Sequence, residues 1–230
     1  MLGIIGAMDE EVQLFKEQME NIEIVSKAGM EFYKGILFGK ELVLVRCGIG
    51  KVNAAICTQI LVDHFSVDKI IFTGVAGGLH PEIEVGDIVI STDCVQHDFD
   101  ATAFGYKLGE IPRLNKVEFA ADQGLIQLAE ESAKSIPDFP KVFKGRILSG
   151  DVFVADKEKA LMLGEKLGGY CVEMEGAAVA QACYLNDIKF VIIRSMSDKA
   201  DGSAHHDFAT FVEYSANNAL KLVKAMLERL

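Results

Sequence analysis

Short apolar runs rich in Val, Ile and Leu alternate along this chain with stretches whose apolar residues recur at three- and four-residue steps. Leu2-Gly3-Ile4-Ile5-Gly6 reads as a strand buried on both faces, and Met8, Val12, Phe15 and Met19 then fall on one face of a helix. The same alternation places strands at 22–25, 31–37, 42–46, 69–73, 87–91, 94–97, 142–148 and 189–194. Helices are expected at 52–65, 122–135, 157–167, 176–186 and 207–230. The segment 99–119 has no clear period and contains Pro112, so it reads as a long ordered loop of the kind that tends to be functional. A strand with two apolar faces needs a helix layer on each side. The expected fold is therefore a three-layer α/β/α domain with a central mixed, twisted sheet. No linker or repeat interrupts residues 1–230, and that length suits one well-buried core, so a single domain is expected.

Charge narrows the partners. Lys and Arg total 23 against 34 Asp and Glu, a formal net charge of −11. Such a surface repels phosphate backbones and anionic lipid, which argues against nucleic acid and membrane partners. No apolar run approaches the roughly 18–20 residues of a bilayer span. The first residues lack a basic segment and reach Asp9-Glu10-Glu11 early, so a cytoplasmic protein is expected. Five scattered cysteines without metal-ligand spacing read as buried thiols, with neither a disulfide framework nor a metal site.

Ligands of open α/β sheets sit beyond the carboxyl ends of strands, so the strand ends carry the functional candidates. Gly48-Ile49-Gly50 opens a dinucleotide fingerprint, but Asn53 stands where the third glycine belongs, and no Walker loop is present; no cofactor is indicated. The cluster Gly74-Val75-Ala76-Gly77-Gly78 lets backbone approach either a ligand or another strand. Among the acids, Asp9, Glu10 and Glu11 suit a helix N-terminus, yet Glu11 falls on the apolar side, between Met8 and Phe15. Glu173-Met174-Glu175 lies between a β run and a helix, where acids are also tolerated structurally. Asp198 follows an apolar strand and could be an ordinary helix cap. Three acids converging in one cleft would suit glycosidic cleavage, one protonating the leaving group and another activating water.

Five motifs in order resemble one family: Gly3-Ile4-Ile5-Gly6-Ala7-Met8-x-Glu10-Glu11, Gly48-Ile49-Gly50-Lys51-Val52, Thr73-Gly74-x-Ala76-Gly77-Gly78, Val172-Glu173-Met174-Glu175-Gly176 and Arg194-x-x-Ser197-Asp198-x-Ala200-Asp201. Together they closely resemble the bacterial 5′-methylthioadenosine/S-adenosylhomocysteine nucleosidases, which have the nucleoside phosphorylase fold. The resemblance implies hydrolysis of the N-glycosidic bond of these nucleosides, and of 5′-deoxyadenosine, releasing adenine in methionine salvage. It implies Glu11 as general base on water and Asp198 as proton donor to adenine N7. By the same likeness Glu175 would accept the ribose hydroxyls, with Met174 beside the sugar and Arg194 nearby. Phe153 and Val154 would hold the purine near Gly77, and Met8, Ile49 and Phe208 would line the 5′-alkylthio end. Phe104 and Pro112 would complete a neighbouring subunit's pocket, which implies a homodimer.

Val75 stands where many relatives carry Ser, and with Phe72 it offers phosphate neither charge nor hydroxyl. Water is therefore the expected nucleophile, with a phosphorylase as the near alternative and a non-catalytic nucleoside-binding protein as the distant one. Val95-Gln96-His97-Asp98 also resembles family variants that accept 6-amino-6-deoxyfutalosine.

Overall fold

Strand β1 (Leu2–Gly6) is buried along its whole length because it runs between two parallel neighbours, β4 (Lys40–Arg46) and β5 (Lys69–Gly78). Two antiparallel strands, β2 (Met19–Lys27) and β3 (Met30–Leu37), extend the sheet beyond β4, leaving β2 as a largely exposed edge. On its other side β5 pairs in parallel with β10 (Lys189–Asp198). The sheet then runs from β10 through β6 (Ile88–Gln96) and β8 (Val142–Ser149) to β9 (Gly169–Glu173), and β9 returns to pair with the end of β5. A short strand, β7 (Glu118–Ala120), pairs with β6. The computed structural model describes residues 1–201 and 204–230.

Helices cover both faces. On one side α2 (Lys51–Phe65) packs on α5 (Gly176–Asn186), which reaches β6, β8 and β10. On the other, α6 (Ala204–Leu227) packs on β10 and β5 and meets both α1 (Asp9–Lys16) and α3 (Gln123–Lys134). The sixth helix, α4 (Lys157–Leu167), lies against β9. The mixed three-layer α/β/α fold is as expected. The core is apolar and aromatic, with Phe15, Phe32, Phe72 and Phe119 almost wholly out of water. All five cysteines are free and buried.

Several boundaries move, for tertiary reasons. The helix expected to reach Met19 stops at Lys16, and the buried Met19 starts β2 instead. The strands at 87–91 and 94–97 are one strand, β6, whose register with β8 shifts between Ser91 and Cys94, as a bulge does. The strands at 69–73 and 189–194 both run on, through Gly78 and Asp198, because each pairs with the other. The loop 99–119 holds a 3-10 turn at Thr102–Phe104 and a bridge between Ile111 and Lys116.

The most consequential feature is a seam on one edge of β5. That edge pairs with β1 as far as Phe72 and with β9 only from Gly77. Between them the backbone of β5 has no strand partner on that edge, and a pocket can form there.

Local signals fix the helix starts. Asp122 caps α3 by accepting the Leu125 N–H at 3.0 Å, and Asp156 caps α4 through Lys159 N–H at 2.8 Å. We expect Asp122→Ala to lower unfolding free energy by about 1 kcal/mol in a urea titration, since the freed N–H loses its acceptor. A loss below the precision of that titration would show that the cap contributes nothing.

Candidate active site

Glu11 fills the seam. It stands in the first turn of α1, and one carboxylate oxygen reaches back to accept the N–H groups of Ala7 (2.6 Å) and Met8 (3.0 Å). The other accepts the N–H of Val75, the β5 group left without a strand partner, at 2.9 Å. The helix-start role and the apolar-side position noted in the sequence thus belong to one side chain. Burial pushes its pKa above the ordinary carboxylate value, against the opposing pull of the Arg194 charge and these three donors. A carboxylate so placed is a better proton acceptor than one in water.

Gly74 makes the arrangement possible. A Cβ at this position would collide with both Arg194 Nη1 and Glu11 Oε1. The Arg194 guanidinium lies beneath them, 4.0 Å from the centre of the Phe72 ring.

The end of β9 supplies a second pair of acids. Glu173 accepts the N–H groups of Glu175 (3.2 Å) and Gly176 (2.8 and 2.9 Å), the hydroxyl of Ser149, and an Arg194 N–H. These bonds turn the chain into α5 and direct Glu175 the other way. Glu175 Oε1 accepts the Gly50 N–H at the start of α2, at 2.8 Å, and its Oε2 lies 3.9 Å from Arg194 Nη2. Burial and the neighbouring Glu173 charge hold Glu175 well above the ordinary carboxylate range.

Asp198 ends β10, past a register shift against β5 between Met196 and Asp198. Its Oδ1 accepts the Ala200 N–H at 2.7 Å, and its Oδ2 accepts the Ser197 hydroxyl at 2.9 Å. Burial is the largest influence on its acidity and raises its pKa despite both donors; the charges of Asp207 and Asp201 act in the same direction. Gly77 is required beside it, because a Cβ there would stand 2.8 Å from Asp198 Oδ1 and 2.9 Å from Ala200 Cβ.

Glu11, Glu173, Glu175 and Asp198 line one cavity of about 440 Å³. Met8, Ile49, Gly77, Phe153, Val154, Met174 and Phe208 line it too, as does Val75. Its wall is mainly apolar, and the rings of Phe153 and Phe208 meet edge to face at 6.2 Å. Three of the residues named from the sequence do not line it. Phe104 is 85% exposed on the 3-10 turn, and neither it nor Pro112 touches this chain's cavity. Arg194, expected near the sugar, is fully buried and paired with Glu173, and it does not itself line the cavity. Sequence reasoning gave Glu173 no individual part. Its signal was an acid at the last position of a buried strand, three residues before a helical glycine, where a carboxylate meets free N–H groups.

The family model described as "Phosphorylase superfamily" matches residues 1–228. The 5′-methylthioadenosine/S-adenosylhomocysteine nucleosidase of Bacillus pumilus is 44% identical over 229 residues, covering 99% of this chain and 98% of its own. The chain belongs to this nucleosidase family of the phosphorylase superfamily. Among solved nucleosidase structures, that from Neisseria meningitidis, in complex with methylthio-immucillin-A, has a TM-score of 0.95 at 41% identity, covering 100% of this chain and 99% of its own. The Colwellia psychrerythraea nucleosidase, in complex with adenine, has a TM-score of 0.95 at 40% identity, covering 100% and 95%. A futalosine hydrolase mutant from Helicobacter pylori has a TM-score of 0.94 at 34% identity, covering 100% and 99%.

The acid-lined cavity of this chain depends on a glycine that admits no Cβ. Gly74→Ala should destabilise the fold by about 1–3 kcal/mol, the usual cost of overpacking a filled interior. Denaturant titration checks it, and an unchanged midpoint would mean that Glu11 and Arg194 move apart freely.

Proposed function

We infer that this protein hydrolyses the N-glycosidic bond of 5′-methylthioadenosine and S-adenosylhomocysteine, releasing adenine and the 5-thio-substituted ribose. The observation that carries the mechanism is that Glu11 and Asp198, both with raised pKa values, open onto one apolar cavity. Adenine anion is a poor leaving group, so Asp198 gives its proton to N7 as the bond between C1′ and N9 breaks and its electron pair leaves with the purine. The ribosyl carbon becomes cationic, and water adds to it as Glu11 takes the water's proton. Glu175 receives the ribose hydroxyls, Phe153 and Val154 flank the purine, and Met8, Ile49 and Phe208 take the 5′-thio substituent.

The charge of the wall favours water over phosphate. Among the described residues lining the cavity none is Lys, Arg or His, and Arg194, which does not line it, is committed to Glu173. A phosphate dianion would meet carboxylates without a cation to offset them.

Adenine release from methylthioadenosine by the purified protein, with and without phosphate, is the direct test. Asp198→Asn keeps an N–H for N7 but has no proton to transfer. Hydrolysis of the adenine nucleoside should fall by at least roughly 10²-fold, as for the loss of a general acid. A 4-nitrophenyl riboside bearing the 5′-methylthio group, whose leaving group needs no proton, should lose far less. Equal losses would make Asp198 a ligand-positioning group.

The exposed Phe104, with Pro112 on the same loop, is suited to completing the 5′ end of a second subunit's pocket, so a cytoplasmic homodimer is part of the proposal. Sedimentation at micromolar concentration should give twice the 25.1 kDa chain mass. A fully active monomer would reject the shared pocket. The likeness to futalosine hydrolases, with Val95-Gln96-His97-Asp98, supports a second substrate, 6-amino-6-deoxyfutalosine. Rates on both nucleosides under one condition decide the preference.

A further inference from the structure

Glu173 is the most heavily bonded side chain around the cavity, yet the reaction gives it no part. It ties together three strands and the start of a helix: Ser149 at the end of β8, its own position at the end of β9, Arg194 within β10, and the first N–H groups of α5. Ser149 in turn accepts the Ala177 N–H at 2.6 Å. The side chains of Glu173 and Arg194 are 4% and 1% exposed.

Capping alone does not require this. Asp122 and Asp156 cap their helices with one N–H each and bury no cation against them. Burying an ion pair is a poor source of stability, because desolvation consumes much of the attraction. Arg194 is also poorly satisfied for a buried guanidinium, since its Nε and Nη1 have no hydrogen-bond partner. It bonds Glu173 while standing 3.9 Å from Glu175 and close enough to Glu11 that Gly74 cannot carry a Cβ between them. One cation thus faces three acids and is claimed by Glu173, the one to which the reaction above assigns no step.

We propose that Glu173 is a positioning residue for the reaction: it fixes the turn that presents Glu175 to the sugar, and it holds Arg194 back from a full ion pair with Glu175 or Glu11. The inference rests on the hydrolase reading above and adds to it the group that keeps both carboxylates free for their tasks.

The charges around these acids point the same way. Glu175 faces Glu173, Arg194, Glu11 and the thiol of Cys47, and the Glu173 charge adds to burial in raising its pKa. Glu11 faces Arg194, which lowers its pKa against the effect of burial. Glu173 itself also faces the thiols of Cys94 and Cys171 and the imidazole of His97, which burial keeps below its ordinary pKa. Removing the Glu173 charge takes a repelling anion from Glu175 and frees Arg194 to approach Glu175 and Glu11. Both changes lower the pKa values of those two acids.

The test is Glu173→Gln, followed as kcat/KM for adenine release against pH. The acid limb should move to lower pH by about one unit, and the plateau should fall by roughly 10–100-fold as the turn and the base lose their settings. Affinity for free adenine should stay within about twofold, because the purine end is untouched. Ser149→Ala disturbs the same bonds without removing charge, so it should lower the plateau and leave the limb in place. An unmoved limb in Glu173→Gln, or adenine affinity falling in step with the riboside, would make Glu173 structural only.

Should the glutamine variant fail to fold, Glu173→Asp carries the test. It keeps the charge but withdraws the carboxylate, and is expected to lose at least tenfold in riboside kcat/KM with adenine binding retained. Joint loss of both would overturn the proposal. Binding of an uncleavable adenine riboside is followed across pH in parallel. No adenine release by the wild type would reject the hydrolase reading, whereas a variant binding profile unshifted from the wild type's would reject the role of Glu173.

Discussion

One carboxylate, that of Glu11, closes the seam where β5 loses β1 before it gains β9. An unpaired N–H inside a sheet is costly, and Val75 would carry one here had Glu11 not reached across from α1. The same side chain satisfies the Ala7 and Met8 N–H groups at the helix start. Satisfying backbone donors and raising the proton affinity of Glu11 are therefore one arrangement, because the burial that makes these bonds valuable also disfavours the charged carboxylate. The neighbouring glycine is a consequence: with Glu11 and Arg194 already there, position 74 has no room for a Cβ.

The remaining acids follow a related logic. Glu175 and Asp198 each end or follow a strand whose neighbours bury it, and each is held by N–H or O–H donors at carboxylate distance. Both nevertheless have raised pKa values, since desolvation outweighs those donors. A cluster of carboxylates around one guanidinium suits a reaction in which a ribosyl centre becomes cationic. It is poorly suited to a phosphate nucleophile. Among the described residues Arg194 is the one fully buried Lys or Arg, and it points at Glu173.

Much was legible in the chain because periodicity and burial have the same physical origin. Runs such as Ile4-Ile5 and Val191-Ile192-Ile193 are apolar on both faces since helices cover both, and that pattern is written locally. The five ordered motifs placed Glu11, Glu175 and Asp198 together before any distance was known. Boundaries were less legible. Nothing local distinguishes a β5 that stops at Thr73 from one continuing to Gly78, because its continuation depends on pairing with β10, more than a hundred residues away.

What the sequence determined by itself was the layered class, the order of elements and the acids at their ends, since these depend on side-chain type and spacing within a few residues. What only the tertiary structure decided was how those acids share their surroundings. The closure of β9 onto β5, the seam that Glu11 fills and the pairing of Arg194 with Glu173 all depend on contacts between distant segments. A charge near a strand end can face the ligand or face another charge with equal local propensity. The difference lies in which neighbours exclude water and which unpaired groups need a partner, and those are properties of the assembled fold.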